Sequence, residues 1–285
     1  VTGRPWPGSV AVYDAPQDED YALNKLIGGR ATVGVTQTPL FRARPGLVDR
    51  GDSLQVKLVA GNLQSISWER LLAGGNLAAI GDGAADRWEL FQFQQADLVD
   101  ESTYLLKTRL RGQLGSDTVI PDAWPAGSWV VILDSNVEQI DLPASARNVA
   151  RHYRIGPARR GLEDSSYRHL ISAFPGVGLK PYAPVHLGAE TLDNGDIRFD
   201  WVRRTRIEGD GWDLAEVPLG EENETYQIRV LEQGKVLREV TVSSPEWTYQ
   251  GSDQQEDAVQ LPFSVQIAQV SARFGPGDYR AIEIV

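Results

Sequence analysis

The chain has 285 residues, with 28 lysines and arginines against 39 aspartates and glutamates, and therefore a formal net charge of −11. It contains no cysteine and no methionine, so disulfides, thiolate nucleophiles and cysteine-ligated metals are excluded. A hydrophobic fraction of 41% is typical of a globular protein, and no apolar run approaches the ~18 residues of a membrane span. Because the sequence begins with Val-Thr-Gly rather than methionine, we expect a piece of a longer protein.

The charge is unevenly distributed along the chain. Residues 1–179 carry 18 basic and 20 acidic side chains, whereas residues 180–285 carry 10 and 19. The acidic second half would repel a phosphate backbone, which argues against nucleic-acid binding. One basic cluster stands out, and it has two interpretations, an anion or acidic-glycan contact or a solvated, ion-paired face. Its members are Arg147, Arg151, Arg154, Arg159 and Arg160.

Short candidate strands and frequent turn residues predict a mostly β fold. The first domain, residues 1–178, is expected to be β-rich, with a short helical turn at 69–76 and a short helix at 164–173. Its candidate strands are 9–13, 31–36, 54–58, 63–68, 88–93, 103–111 and 129–133. A segment rich in proline and glycine, residues 175–181, indicates the domain boundary.

The second domain, residues 179–285, shows clearer alternation of apolar and polar residues. Seven short strands in about 105 residues is the spacing of an antiparallel sandwich. The expected strands are 185–187, 197–201, 226–230, 236–242, 246–249, 263–267 and 279–285. A turn at residues 233–235, Gln-Gly-Lys, would join the third and fourth of them.

The second domain also resembles the immunoglobulin-like fibronectin type III family. Trp201 on the second strand, Tyr226 on the third and the segment 265–272 before Gly275 stand in that family's order. Phe263 replaces the tyrosine that usually ties down a corner, so that hydrogen bond should be missing. The connection over residues 203–224 is longer than usual.

Motifs along nearly the whole chain resemble the C-terminal region of the large baseplate hub (megatron) tail-tip proteins of gene transfer agents and long-tailed phages. The matching segments are residues 5–9, 109–115, 152–156, 179–187, 201–206, 209–212 and 217–222. The resemblance implies a virion component of a non-contractile tail tip, in a parent chain that forms a homotrimer and contacts other tail and baseplate proteins. It also implies a particle that is extracellular after release, and it brings no catalytic residue.

We expect no enzyme, no cofactor and no metal site. The three histidines, His152, His169 and His186, occur singly and outside any nucleophile motif. No phosphate-binding or dinucleotide-binding glycine motif is present in the sequence.

Several tryptophans are candidates for ligand contact, because an aromatic ring face can stack on a sugar. Trp124, Trp212 and Trp247 lie in polar or proline- and glycine-rich stretches, and with Arg151, Arg159 and Arg160 they are the predicted contact residues. The competing interpretation is that Trp212 anchors the long connection to the sandwich. Four others stand in apolar or alternating runs and are expected in the core: Trp68, Trp88, Trp129 and Trp201.

Two functions from different classes remain. The first is a structural part of a tail tip that supports assembly and contact with the host surface. The second is a receptor- or glycan-binding module on the same tip that recognises host envelope polysaccharide.

Overall fold

The structure is a computed structural model that describes residues 2, 5–207, 209 and 217–285. The chain divides into two compact units, Val1–Gly176 and Val177–Val285. Both are built mainly from antiparallel strands, which confirms the expected mostly β fold class. Within the described ranges, no helix has the length and apolar character needed to cross a membrane.

The first unit is built almost entirely from short strands. In chain order it contains β1 (Val10–Ala15), β2 (Ala22–Ile27), β3 (Val33–Thr36), β4 (Leu40–Phe41), β5 (Val48–Asp49), β6 (Leu54–Ala60), α1 (Trp68–Leu72), β7 (Leu77–Gly81), β8 (Trp88–Asp100), β9 (Thr103–Leu110), β10 (Ala123–Trp124), β11 (Trp129–Ile132), β12 (Arg151–Pro157) and β13 (Arg168–Ser172). Short 3₁₀ segments cover Gln113–Val119 and Ala144–Ala146.

Six of these strands close into a ring, which we call the cylinder. They pair antiparallel in the order β9-β6-β3-β11-β7-β8, and β8 pairs with β9 to complete the circle. Closure removes the free edges that an open sheet would present. The short strand β5 pairs with β9 at the side of the cylinder, while β4 and β10 form a separate two-stranded sheet.

The cylinder is filled by apolar side chains that alternate along its strands. On β6 the burial alternates over Leu54, Val56 and Leu58, which are almost completely buried, as the sequence pattern predicts. Further filling comes from Ala78, Ile80, Phe91, Phe93, Tyr104, Leu106 and Val130. This alternation with a period of two fixes the register of each strand, because a slip by one residue would expose the apolar set.

A second sheet of the first unit has the order β13-β12-β1-β2. Its inner face carries a small core of Val12, Ile27 and Tyr153. Among the described residues, β13 and β2 are the outer strands of this sheet, and each has one backbone edge that pairs with no other strand.

The second unit is a sandwich of two antiparallel sheets. Its elements are β14 (Val185–Thr191), β15 (Ile197–Val202), β16 (Tyr226–Glu232), β17 (Lys235–Val242), β18 (Glu246–Tyr249), α2 (Gly251–Glu256), β19 (Phe263–Ser271), β20 (Gly275–Pro276) and β21 (Arg280–Ile284). One sheet is β14-β15-β18, and the other has the main order β17-β16-β19-β21. Three strands facing four in this order is the fibronectin type III-like, immunoglobulin-like arrangement that the sequence predicts.

The sandwich core is supplied by both sheets. Phe199 and Trp201 from β15 meet Tyr226 and Ile228 from β16, and the Trp201 and Tyr226 rings make an edge contact with centroids 5.1 Å apart. Gln233 and Gly234 both have positive φ, as a two-residue hairpin turn requires, and they join β16 to β17.

Two predicted elements are wrong. Residues 164–173 form no helix: this part of the chain contains β13, an exposed edge strand that lacks the regular apolar alternation of the core strands. Residues 63–67 form no strand, and α1 begins directly after them, at Trp68, with the Ser67 hydroxyl accepting a hydrogen bond from the Arg70 amide.

The four tryptophans expected in the core differ in their burial. Trp201 is 4% exposed, as expected, whereas Trp129 is 43% exposed. The alternation of β11 explains the error, because Val130 points into the cylinder and its neighbour Trp129 must point out. Trp68 and Trp88 are half-buried.

Candidate functional site

The outer face of the four-stranded sheet, opposite its small core, carries a group of interacting polar side chains. Tyr153 on β12 points to the core, so its neighbours His152 and Arg154 point to the outer face. His169 on β13 is the cross-strand partner of Arg154 and lies on the same face. The connection between β1 and β2 brings Asp18 to this point.

Asp18 is held in place by two donors. Its Oδ1 accepts a hydrogen bond of 2.6 Å from the Tyr21 hydroxyl and one of 3.1 Å from Nη2 of Arg154. The Arg154 guanidinium also lies 5.0 Å from the centre of the Tyr21 ring. The hydrogen bonds from Tyr21 and then Arg154 lower the pKa of Asp18, so the carboxylate is ionised at neutral pH.

The two histidines lie beside this carboxylate. Nδ1 of His152 is 3.0 Å from Nε2 of His169, and that Nε2 is 3.8 Å from Oδ1 of Asp18. One nitrogen from each ring and one carboxylate oxygen all lie within 4.8 Å of one another. Such a group can share a proton between the rings or bind a cation.

Sequence reasoning missed this cluster because it treated each histidine as isolated. The signal that could have found it is the pairing of β12 with β13, which places residues 152 and 169 diagonally on one face. The incorrect helix at residues 164–173 hid that pairing.

The predicted arginines do not form one surface. Arg151 points to the inner face, where its Nε and Nη2 donate to Oδ2 of Asp14 at 2.7 and 2.5 Å, and its contact with a ligand stays a prediction. Arg159 and Arg160 are exposed, and both line a shallow pocket with Asp164 and Ser166. Nη1 of Arg160 lies 3.6 Å from Oδ2 of Asp164.

Trp124 cannot stack on a ligand, which corrects the prediction for that residue. It is 1% exposed and packs in the cylinder core, and its indole nitrogen donates a 2.7 Å hydrogen bond to Oε2 of Glu89. Proline and glycine neighbours suggested a loop, but the side chain is the part that is buried.

Trp247 is also used for packing. Its ring lies 5.7 Å from that of Phe199 and 5.2 Å from that of Tyr249, at interplanar angles of 19° and 23°. The ring is partly buried and packs against the sandwich core, and its contact with a ligand stays a prediction. Trp212, the third candidate, lies outside the described residues.

A group of charged side chains is buried beside the core of the cylinder. Arg111 contacts both Glu89 and Asp49, and Arg109 donates to Oδ2 of Asp49 at 2.9 Å. Burial raises the pKa of Asp49, but the hydrogen bonds from Arg109 and the Gly51 amide outweigh it and leave that pKa lowered. Because these charges are enclosed and neutralise one another, they act on stability rather than on a ligand.

Residues 31–131 match the family described as Rcc01698-like, C-terminal. Rcc01698 is a gene transfer agent-associated protein in Rhodobacter. The matched segment runs from just before β3 into β11, so it contains the strands of the cylinder.

A search of curated proteins found no match. Solved structures with similarity include the rat CD45 extracellular region, domains d3-d4, at 8% identity and a TM-score of 0.26, covering 53% of this chain and 71% of that chain. The chicken CNTN1 FN1-FN3 domains match at 11% identity and a TM-score of 0.25, covering 97% of this chain and 89% of that chain. The fold of the second unit follows from its strand order.

Proposed function

We propose that the chain is a structural, non-enzymatic component of the tail tip of a gene transfer agent or long-tailed phage. In this proposal it is one part of a larger hub protein that forms a trimer, contacts other baseplate proteins and reaches the cell exterior with the particle. The observation that carries the proposal is the match of residues 31–131 to the Rcc01698-like family, because it agrees with the motif resemblance found independently in the sequence.

The surface of the cylinder supports an assembly role. The hairpin of β8 and β9 carries Leu98 and Val99 near its tip, and these side chains are 63% and 51% exposed. Large apolar side chains that are exposed at the tip of a hairpin are suited to contact with another protein.

The edge strand β13 offers a second kind of contact. Leu170 and Ile171 are 49% and 60% exposed, and one backbone edge of β13 pairs with no strand in the described part of the chain. An unpaired edge can accept a strand from another chain. Both features fit a protein that is surrounded by neighbours in an assembly.

Substitution at the hairpin tip tests the proposal in the intact particle. We expect L98D/V99D in the full-length parent protein to reduce the yield of tailed particles, because charges would be buried at the contact. The matched control is Leu72→Asp, which places a charge at another strongly exposed leucine of the first unit.

Both variant chains should retain the wild-type circular dichroism spectrum, since the substituted side chains are exposed. Wild-type yield and wild-type incorporation with L98D/V99D would contradict an assembly role for this hairpin.

The glycan-binding alternative is now supported by one feature, the shallow pocket that Arg159 and Arg160 line. Paired guanidinium groups suit the carboxylates of an acidic polysaccharide. The alternative predicts that R159E/R160E abolishes binding of the purified chain to host polysaccharide, whereas R44E/R50E, which reverses two exposed arginines elsewhere in the unit, does not. Equal binding by both variants would contradict it.

A further inference from the structure

The cluster of Asp18, His152 and His169 has the composition of a metal site. It supplies two imidazole nitrogens and one carboxylate oxygen from three separate elements, namely β12, β13 and the β1–β2 connection. Two histidines and one carboxylate form a recurrent ligand set for divalent transition metals, in which the remaining positions are taken by water. We infer that Asp18, His152 and His169 bind a divalent transition-metal ion, for which Zn²⁺ is the appropriate probe.

The spacing of the two rings fits a shared ion. Two nitrogens bound at about 2.1 Å to one ion are about 3.0 to 3.4 Å apart when the angle between the bonds is about 90° to 110°. Nδ1 of His152 and Nε2 of His169 are 3.0 Å apart. Both rings are at least partly exposed, so each can turn about its Cβ–Cγ bond to aim its lone pair at the ion.

The Asp18 carboxylate is held in one orientation by neighbouring side chains. Tyr21 and Arg154 both donate to Oδ1 of Asp18, and these hydrogen bonds orient the group. Outer partners of this kind fix the direction of a metal ligand.

A bound ion would join parts of the chain that are far apart in sequence. It would link the β1–β2 connection to β12 and to β13, which is an outer strand of the sheet as far as the chain is described. Binding to the folded state alone raises the unfolding temperature of the protein. The site would therefore hold the exposed edge of the sheet in place, a role that the proposed assembly function does not include.

Calorimetric titration of the tag-free, chelator-treated chain with ZnCl₂ tests the inference. We expect one ion per chain, and we expect stoichiometric binding to be lost in His152→Ala and in His169→Ala. Tyr21→Phe should weaken binding by about tenfold, because it removes an outer partner. The matched control is His186→Asn, which removes the remaining histidine, with asparagine chosen because residue 186 has φ of +53°.

A second measurement uses only the wild-type chain and so does not depend on the folding of a variant. Addition of Zn²⁺ should shift the imidazole nuclear magnetic resonance signals of His152 and His169 and leave those of His186 unchanged. No heat of binding, or equal loss of binding in His186→Asn, would overturn the inference. Unchanged signals of His152 and His169 at saturating Zn²⁺ would overturn it as well. The two histidines would then be a hydrogen-bonded pair that shares a proton and binds no metal.

Discussion

Arg111 and Glu89 form an ion pair in which neither side chain is exposed. Nε of Arg111 lies 2.5 Å from Oε1 of Glu89, and Nη2 lies 2.8 Å from Oε2. Trp124 donates to the same carboxylate, so both oxygens have partners inside the cylinder. Two charges removed from water in this way depend on each other, because either one alone would be buried without compensation.

Replacement of Arg111 should therefore be costly. We expect Arg111→Met to lower the free energy of unfolding of the first unit by about 3–5 kcal/mol, the range for a buried pair that loses one partner. Urea unfolding followed by circular dichroism measures this change. The control is Arg87→Ala, which breaks the exposed pair with Asp82 and should cost less than about 1 kcal/mol. Equal effects of the two substitutions would contradict the structural role assigned to the buried pair.

The second unit also contains a carboxylate that accepts several hydrogen bonds, Asp257, directly after α2; we call its contacts with Tyr249 and Arg238 the tie at Asp257. Oδ2 of Asp257 accepts 2.6 Å hydrogen bonds from the Tyr249 hydroxyl and from Nε of Arg238. Phe263 has no hydroxyl and so lacks the corner hydrogen bond of the family's usual tyrosine, as the sequence indicates. The Tyr249 hydroxyl instead holds the connection between β18 and β19, through its hydrogen bond to Asp257.

The tie at Asp257 predicts a dependence of stability on pH. Burial raises the pKa of Asp257, but the hydrogen bonds from Arg238 and Tyr249 outweigh it, and the pKa lies below the ordinary 3.8. The unfolded chain therefore takes up this proton first, and the stabilisation present at neutral pH is lost as the pH falls through 3.8 and then through the lowered value.

Asp257→Asn should thus lower the unfolding temperature at neutral pH and reduce its further fall toward about pH 3. Calorimetry at both pH values measures the difference. The exposed Asp193→Asn should behave as wild type at both. A wild-type acid dependence in Asp257→Asn would show that the tie does not contribute.

Gly156 gives a third prediction, at the outer face of the four-stranded sheet. A Cβ atom at this position would lie 2.5–2.7 Å from three atoms of the Tyr167 ring, which packs directly over the glycine. We expect Gly156→Ala to displace that ring and to cost about 1–3 kcal/mol, as overpacking does. Thermal unfolding measures the effect, and Gly161→Ala, where a Cβ meets no atom within 4 Å, is the control. If the two variants unfold alike, the close packing of Tyr167 is not a constraint.

The parts of the fold that could be predicted from sequence are those with a strong alternating pattern. Ile197, Phe199 and Trp201 alternate with exposed residues, and the same pattern in the following strands indicates a sandwich. Closure of the cylinder could not be predicted, because it depends on β8 pairing with β9 on the side opposite β6, and alternation within one strand does not specify its neighbours.

The candidate site was less accessible to sequence reasoning for a related reason. Arg151 and Arg154 are close in sequence, but they lie on opposite faces of β12 and have different partners, Asp14 and Asp18. A cluster of arginines in sequence is therefore not a cluster in space. Conversely, His152 and His169 are distant in sequence and adjacent in the structure.

The central claim, a structural place at the tail tip, is tested most directly by electron microscopy of particles from the organism that encodes the chain. Gold-labelled antibody raised against the purified chain should mark the tip of the tail and leave the capsid and the tail shaft unlabelled. Label on the capsid or along the shaft, or no label on particles whose tips bind an antibody to another tip protein, would contradict the account.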